Sequence, residues 1–285
     1  MKPDVIFYDG DREKPLVVFV HGMGMDANFW ADPDSARVLG GKYPLRILLG
    51  EVEIKNSFND LRSLGYPVMT WSQKRPAGDA GAALEELHEI VKEYASKDII
   101  LIGHSRGGLL ARKLAGSNSH NIKLIVTIAS PHHGSNVAKW ADMISPFAST
   151  LKKIIDAGHK GESASAVQRV LGFLSGPGLK EMLPESAFIK SLPAQPAAGT
   201  KTISIGGTDP SLVLINGKPL TAVISSLLPD SLLPDEFREG LGDGFVSASS
   251  SVWPGADEHR NFHAHHAGVI FDADVRRYIR EIVSA

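Results

Sequence analysis

The chain has 285 residues, 43% of them apolar and 22% charged, with a formal net charge of -2 and no cysteine. That balance is the one of a globular protein with a sizeable core; it leaves no basic footprint for nucleic acid or anionic lipid, and it is not the composition expected of an extensively disordered chain. Without cysteine there is no disulfide, no thiolate metal site and no thiol nucleophile.

Taken in chain order, "VIFYDG" and "PLVVFVHG" read as strands, and the unbroken Val/Phe run of the second predicts burial on both faces, as in a parallel sheet. "FNDLRSLG" spaces Phe58, Leu61 and Leu64 three apart and stops at Gly65, a helix that delivers the chain to the strand "YPVMTW". "AGAALEELHEIVKEYASK" sets Leu84, Leu87, Ile90, Val91 and Tyr94 on one helical stripe. It leads into a strand ending at Ile102, after which Leu109, Leu110 and Leu114 mark another helix. "IKLIVTIAS" and "KTISIGG" add strands, and "FDADVRRYIREIVSA" is a terminal amphipathic helix with Asp272 and Asp274 in its first turn.

Strand and helix alternating in this way predict an α/β fold, a mostly parallel central sheet with helices on both faces. The expectation is one domain over 1–285 with two insertions. The first, about 135–200, has no clear strand; Trp140, Met143, Ile144, Phe147, Leu151 and Ile155 follow helical spacing and suit either a mobile lid or core. The second, about 210–241, separates the strand around Ile203 from "GDGFVSASS". Nowhere do about 18 apolar residues run together, and residues 1–10 lack a secretion signal, so no integral membrane segment is expected and a cytoplasmic location is the default, a removed leader the alternative.

Gly103-His104-Ser105-Arg106-Gly107 fits G-x-S-x-G between a strand and a helix, the setting of a nucleophile elbow. The polar residues are expected on the turn between the two. A serine hydroxyl is a weak nucleophile at neutral pH and requires a base. "HRNFHAHHAG", expected as loop before the last helix, offers several imidazoles. His266 is the first choice because Ala267 and Gly268 tether it to that helix; His265 and His263 remain open. The base needs an acid to set its tautomer, and Asp243 between two glycines fits, with Asp209 in "IGGTDP" the rival. Backbone N–H groups of Met23, in "HGMGM", and Arg106 are the candidate oxyanion donors. No Walker A loop or dinucleotide fingerprint occurs, so no cofactor is expected. His132 and His133 invite a metal reading, but no His pair has a convincing ligand spacing on a helix, and no metal is expected.

"VFVHGMG", "GHSRGG", "SPHHGS", "GDGFVS" and "HAGVIFDADVRRYI" together resemble, in order, the motifs of bacterial lipases and carboxylesterases of the α/β-hydrolase superfamily. The resemblance implies Ser105 as nucleophile, Asp243 as acid, His266 as base, Met23 and Arg106 as oxyanion donors, and a lid in the first insertion. It implies hydrolysis of small-molecule or lipid carboxylic esters through an acyl-enzyme. A thioesterase, an amidase or an acyltransferase uses the same triad, and a catalytically silent binding protein can share the fold.

Overall fold

The computed structural model describes residues 4–38, 41–42, 54–116, 121–137, 139, 177–196, 198–211, 214–215, 218–219 and 233–285. The stripe from Trp140 to Ile155 and most of the second insertion lie outside the described residues.

Strands β1 (Asp4–Tyr8) and β2 (Leu16–Val20) are followed by a short helix α1 (Asn28–Ala31) and a two-residue hairpin, β3 (Arg37–Val38) with β4 (Gly41–Lys42). Then come α2 (Ser57–Ser63), β5 (Val68–Ser72), α3 (Ala80–Glu93), β6 (Ile99–His104), α4 (Arg106–Ala115) and β7 (Ile122–Ile128). Two single turns, α5 (Pro177–Lys180) and α6 (Ala187–Lys190), precede β8 (Lys201–Gly207). Two-residue strands β9 (Leu214–Ile215) and β10 (Lys218–Pro219) pair antiparallel, and β11 (Glu258–Phe262) and α7 (Ala273–Ser284) follow; single 3-10 turns lie at Pro33–Ser35 and Asp235–Phe237. Seven strands form one sheet in the order β1-β5-β2-β6-β7-β8-β11. Only β1 runs antiparallel to its neighbour; the pairs from β5 through β11 are parallel. The mostly parallel sheet expected from the sequence is therefore present.

The side-chain alternation of each strand sorts the core into two layers. Val17, Phe19, Ile100 and Ile102 face a cluster that includes α1, α2 and α7; Leu16, Val18, Ile99 and Leu101 face α3 and α4. Both faces are thus covered by helices, which explains why β2 and β6 carry continuous apolar runs. Helix starts are set by local capping: Asn56, Asp79 and Asp272 each accept a backbone N–H from the first turn that follows. α7 buries Val275, Tyr278, Ile279 and Val283 against the sheet, each such burial contributing about 1.5–3 kcal/mol.

Two local expectations are corrected. β6 runs on through Gly103 to His104, so only Ser105 occupies the turn and Arg106 already opens α4. His259 to Phe262, expected as loop, are part of β11 and pair in parallel with β8 from His259↔Ser204 to Phe262↔Gly207. The polar sequence Glu-His-Arg-Asn hides this edge strand from a periodicity reading, because backbone bonds to β8, not a buried face, hold it. Among the described residues, no helix is long and apolar enough to cross a membrane.

Candidate active site

The parallel strands deliver their C-terminal ends to one edge of the sheet, where ligands of open α/β sheets bind. Ser105 lies there between β6 and α4 with φ 54° and ψ -126°, a conformation that costs a residue with a Cβ about 1–3 kcal/mol. Its N–H donates to the Ile128 carbonyl at the end of β7 (2.8 Å). The G-x-S-x-G spacing has a steric origin here. A Cβ on Gly107 would come to 2.3 Å from the Val20 carbonyl oxygen, and one on Gly103 to 2.5 Å from the Gly108 Cα. Helix, strand and neighbouring strand meet too closely at the elbow for any side chain at these two positions.

The loop after β2 passes directly beside this serine, since a Cβ on Gly22 would lie 3.1 Å from the Ser105 Cβ. Met23 follows Gly22 and packs with Leu109, Leu179 and Met182 in a third apolar cluster at this end of the molecule. The Arg106 N–H opens α4, where the first N–H groups of a helix have no partner within it. A cavity of about 590 Å³ opens beside the same loop, lined by Gly24, Met25 and Pro76 together with Asp26 and Arg37.

Asp243 is fully buried in a tight turn. Its Oδ1 accepts the N–H groups of Phe245 (2.9 Å) and Val246 (2.7 Å), and its Oδ2 accepts from His266 Nδ1–H at 2.9 Å. Holding the proton on Nδ1 leaves Nε2 of a neutral His266 as the basic nitrogen. The other imidazoles in the stretch are engaged elsewhere. His265 Nδ1 accepts the Gly268 N–H (3.1 Å), and burial lowers its pKa. His263 is exposed, 3.6 Å from Glu239, and His259 meets the Ser204 hydroxyl at 2.8 Å. Asp209 accepts the N–H of Ser211 within its own turn (2.9 Å). The structure thus brings Asp243 and His266 together and leaves the rival residues out of that contact.

Two residues to which the sequence motifs assign no role, His104 and Phe245, adjoin His266. His104, fully buried, donates from Nε2–H to the His266 carbonyl (2.9 Å), tying the residue before Ser105 to the His266 backbone. Burial holds its pKa well below the ordinary imidazole value, so this ring is neutral. The Phe245 ring stacks on the His266 ring with centroids 5.1 Å apart. An aromatic two residues beyond Asp243 and a polar residue ending a buried strand are the available signals. Both resemble ordinary core positions in the sequence.

His132 is a buried structural residue: Nδ1 accepts from Arg112 (3.2 Å) and Nε2–H donates to the Thr127 hydroxyl (2.9 Å). Among the described residues, no group of three or more acidic or imidazole side chains is gathered as metal ligands would be.

A family model described as "Domain of unknown function (DUF7379)" matches residues 7–232. The pimeloyl-[acyl-carrier protein] methyl ester esterase of Vibrio cholerae serotype O1 is 26% identical over 139 residues, 47% of this chain and 46% of that protein. The triacylglycerol lipase of Pseudomonas fragi is 30% identical over 87 residues, 30% of this chain and 29% of that one. The chain spans less than half the length of the curated relatives it matches. Among solved structures, mature Bacillus licheniformis lipase BlEst2 superposes with a TM-score of 0.57 at 19% identity, over 99% of both chains. At that identity the likeness shows the fold, which is the α/β-hydrolase fold, and the esterase and lipase names agree with the resemblance carried by the motifs.

Proposed function

The chain belongs to the DUF7379 family, and because that description assigns no chemistry we propose, from the site itself, that this protein is a serine hydrolase of carboxylic esters. The observation that carries the reading is the His266–Asp243 pair; support also comes from the His104 ring, which bonds the His266 carbonyl and belongs to the residue before the strained Ser105. In this reading the Ser105 hydroxyl attacks the ester carbonyl while His266 Nε2 takes its proton. Asp243 stabilises the imidazolium that forms. The N–H groups of Met23 and Arg106 receive the oxyanion, a contribution of about 3–4 kcal/mol per lost donor in comparable enzymes. Collapse expels the alcohol, which takes the proton from His266, and water then releases the acid from Ser105 by the same steps in reverse.

The whole chain, 1–285, is read as one α/β-hydrolase domain with a helical cap at about 135–200 and a second insertion at about 210–241. One sheet gathering strands from Asp4 to Phe262 supports this, as does the lack of any strand among the described residues between Ile128 and Lys201. Small-molecule or lipid esters are the proposed substrates. The esterase and lipase names among the relatives support that class, and so does the apolar cluster around Met23 next to the elbow.

A fluorophosphonate probe with peptide mapping, run beside a panel of p-nitrophenyl esters of increasing chain length, tests the reading. Labelling at Ser105 and loss of hydrolysis in Ser105→Ala are expected. Hydrolysis unchanged by that substitution rejects the nucleophile.

A further inference from the structure

Three chain segments converge behind the elbow: the end of β2, the loop after β5 and the first residue of α4. Gln73, 4% exposed, sits among them. Its side-chain NH2 donates to the His21 carbonyl (3.2 Å), its Oε1 accepts from Arg106 Nη2 (2.7 Å), and its backbone N–H donates to His21 Nε2 (3.3 Å). The same Arg106 Nη2 donates to the Pro76 carbonyl (2.9 Å), which also accepts the Gly24 N–H (2.8 Å). Arg106 Nη1 closes the arrangement on the Gly78 carbonyl (2.5 Å).

His21 and Gly24 bracket Gly22 and Met23, so both ends of that loop are tethered to the 73–78 segment. That segment is clamped by the guanidinium of Arg106, whose own N–H is the second candidate oxyanion donor. Arg106 is 1% exposed, and its Nη1 and Nη2 donate to carbonyl and amide oxygens; Glu181 and Asp79 act on the guanidinium only from a distance. Removing a charge from water costs several kcal/mol, and an apolar side chain would fill such a space with less penalty. Packing alone therefore does not account for an arginine here.

We propose that Gln73 is a positioning residue which, with the Arg106 guanidinium, holds the Met23 and Arg106 N–H groups at the separation an oxyanion requires. The inference rests on the reading of Ser105 as nucleophile. Donors aimed in advance act only where charge develops, and a misplacement of about 1 Å is enough to cost on the order of 100-fold in rate. The signature of such a residue is a loss in kcat with little change in KM.

Gln73→Glu retains the acceptor for Arg106 and the shape, but has no N–H for the His21 carbonyl; Arg106→Lys keeps the charge and cannot reach Gln73, Pro76 and Gly78 at once. For each variant, kcat and KM on a p-nitrophenyl ester are measured with thermal melts and the affinity of an alkyl boronic acid, which forms a tetrahedral adduct with an activated serine. Expected is a fall in kcat of about 10- to 100-fold, KM within about threefold, and boronate affinity reduced in proportion to kcat/KM. If Ser105→Ala abolishes hydrolysis while both variants keep native kcat and boronate affinity, the positioning role is overturned and the nucleophile stands. A rise in KM alone, or a lower melting temperature with unchanged kcat, also overturns it. Hydrolysis that survives Ser105→Ala removes the underlying reading, and the positioning role falls with it.

Discussion

Asp243 and His266, 23 residues apart in sequence, are joined twice: Nδ1–H of the imidazole donates to Oδ2 of the carboxylate at 2.9 Å, and the His266 N–H donates to the Asp243 carbonyl, also at 2.9 Å. The second bond fixes the two backbones relative to each other, so the imidazole starts from a Cα held next to the Asp243 turn. The carboxylate is held in its turn by two more N–H groups, those of Phe245 and Val246. A carboxylate with both oxygens engaged and an imidazole bonded through side chain and backbone form an ordered pair, as the proposed roles of acid and base require.

Asp243→Asn tests that pair. The amide oxygen can still accept from Phe245 and Val246, but the NH2 group then faces His266 Nδ1 and moves the ring proton to Nε2, the nitrogen that acts as base in the proposed mechanism. We expect kcat to fall by roughly 10³- to 10⁴-fold with the melting temperature nearly unchanged, read by ester hydrolysis and a thermal melt.

At Ser105 the strain is separable from the chemistry. Ser105→Ala removes the hydroxyl and keeps the Cβ at φ 54°, whereas Ser105→Gly removes both. Relief of about 1–3 kcal/mol of strain exceeds the roughly 0.5–1 kcal/mol entropic cost of a glycine. Both variants are expected to be inactive, with Ser105→Gly more stable than Ser105→Ala by about 1 kcal/mol in urea unfolding. Equal stability would show that the elbow stores no strain.

Acid stability follows from the buried imidazoles. Burial pushes the pKa of His21 down from 6.5 to about 4, and those of His104 and His132 well below 6.5. These groups are neutral in the fold and become protonated more readily in the unfolded chain. Their contribution is therefore fully present above pH 6.5 and is lost progressively as the pH falls below it; for His21, whose loss runs down through about pH 4, it is about 3 kcal/mol. Urea midpoints measured between pH 7.5 and pH 4.5 are expected to drop steeply below pH 6.5, and a flat profile across that interval would contradict the buried neutral rings.

One carboxylate ties the terminal helix to α2 in addition to its apolar packing. Asp60 on α2 accepts two bonds from Arg276 (2.6 and 2.9 Å) and one from Arg280 (2.7 Å) on α7. The groups are partly exposed, so solvent weakens the pairing, yet a forked arginine–carboxylate contact still contributes about 1–2 kcal/mol. Asp60→Ala is expected to lower unfolding stability by that amount and leave kcat of the folded protein unchanged, because no site residue touches Asp60.

Local sterics and periodicity lie within a few neighbouring residues, and for that reason the sequence by itself determined the alternating strands and helices, the capped terminal helix and the glycine-flanked elbow at Ser105. Which imidazole meets which carboxylate was another matter. His263, His265 and His266 present the same chemistry in the same four-residue stretch, and Asp209 and Asp243 both follow from turn-like sequence. Only the order of strands decided among them, by laying the chain after β11 beside the Asp243 turn, with a backbone bond that no side chain announces. The same holds for Gln73, an unremarkable residue after β5 until the sheet sets β5 next to β2 and brings His21 and Arg106 to its two ends.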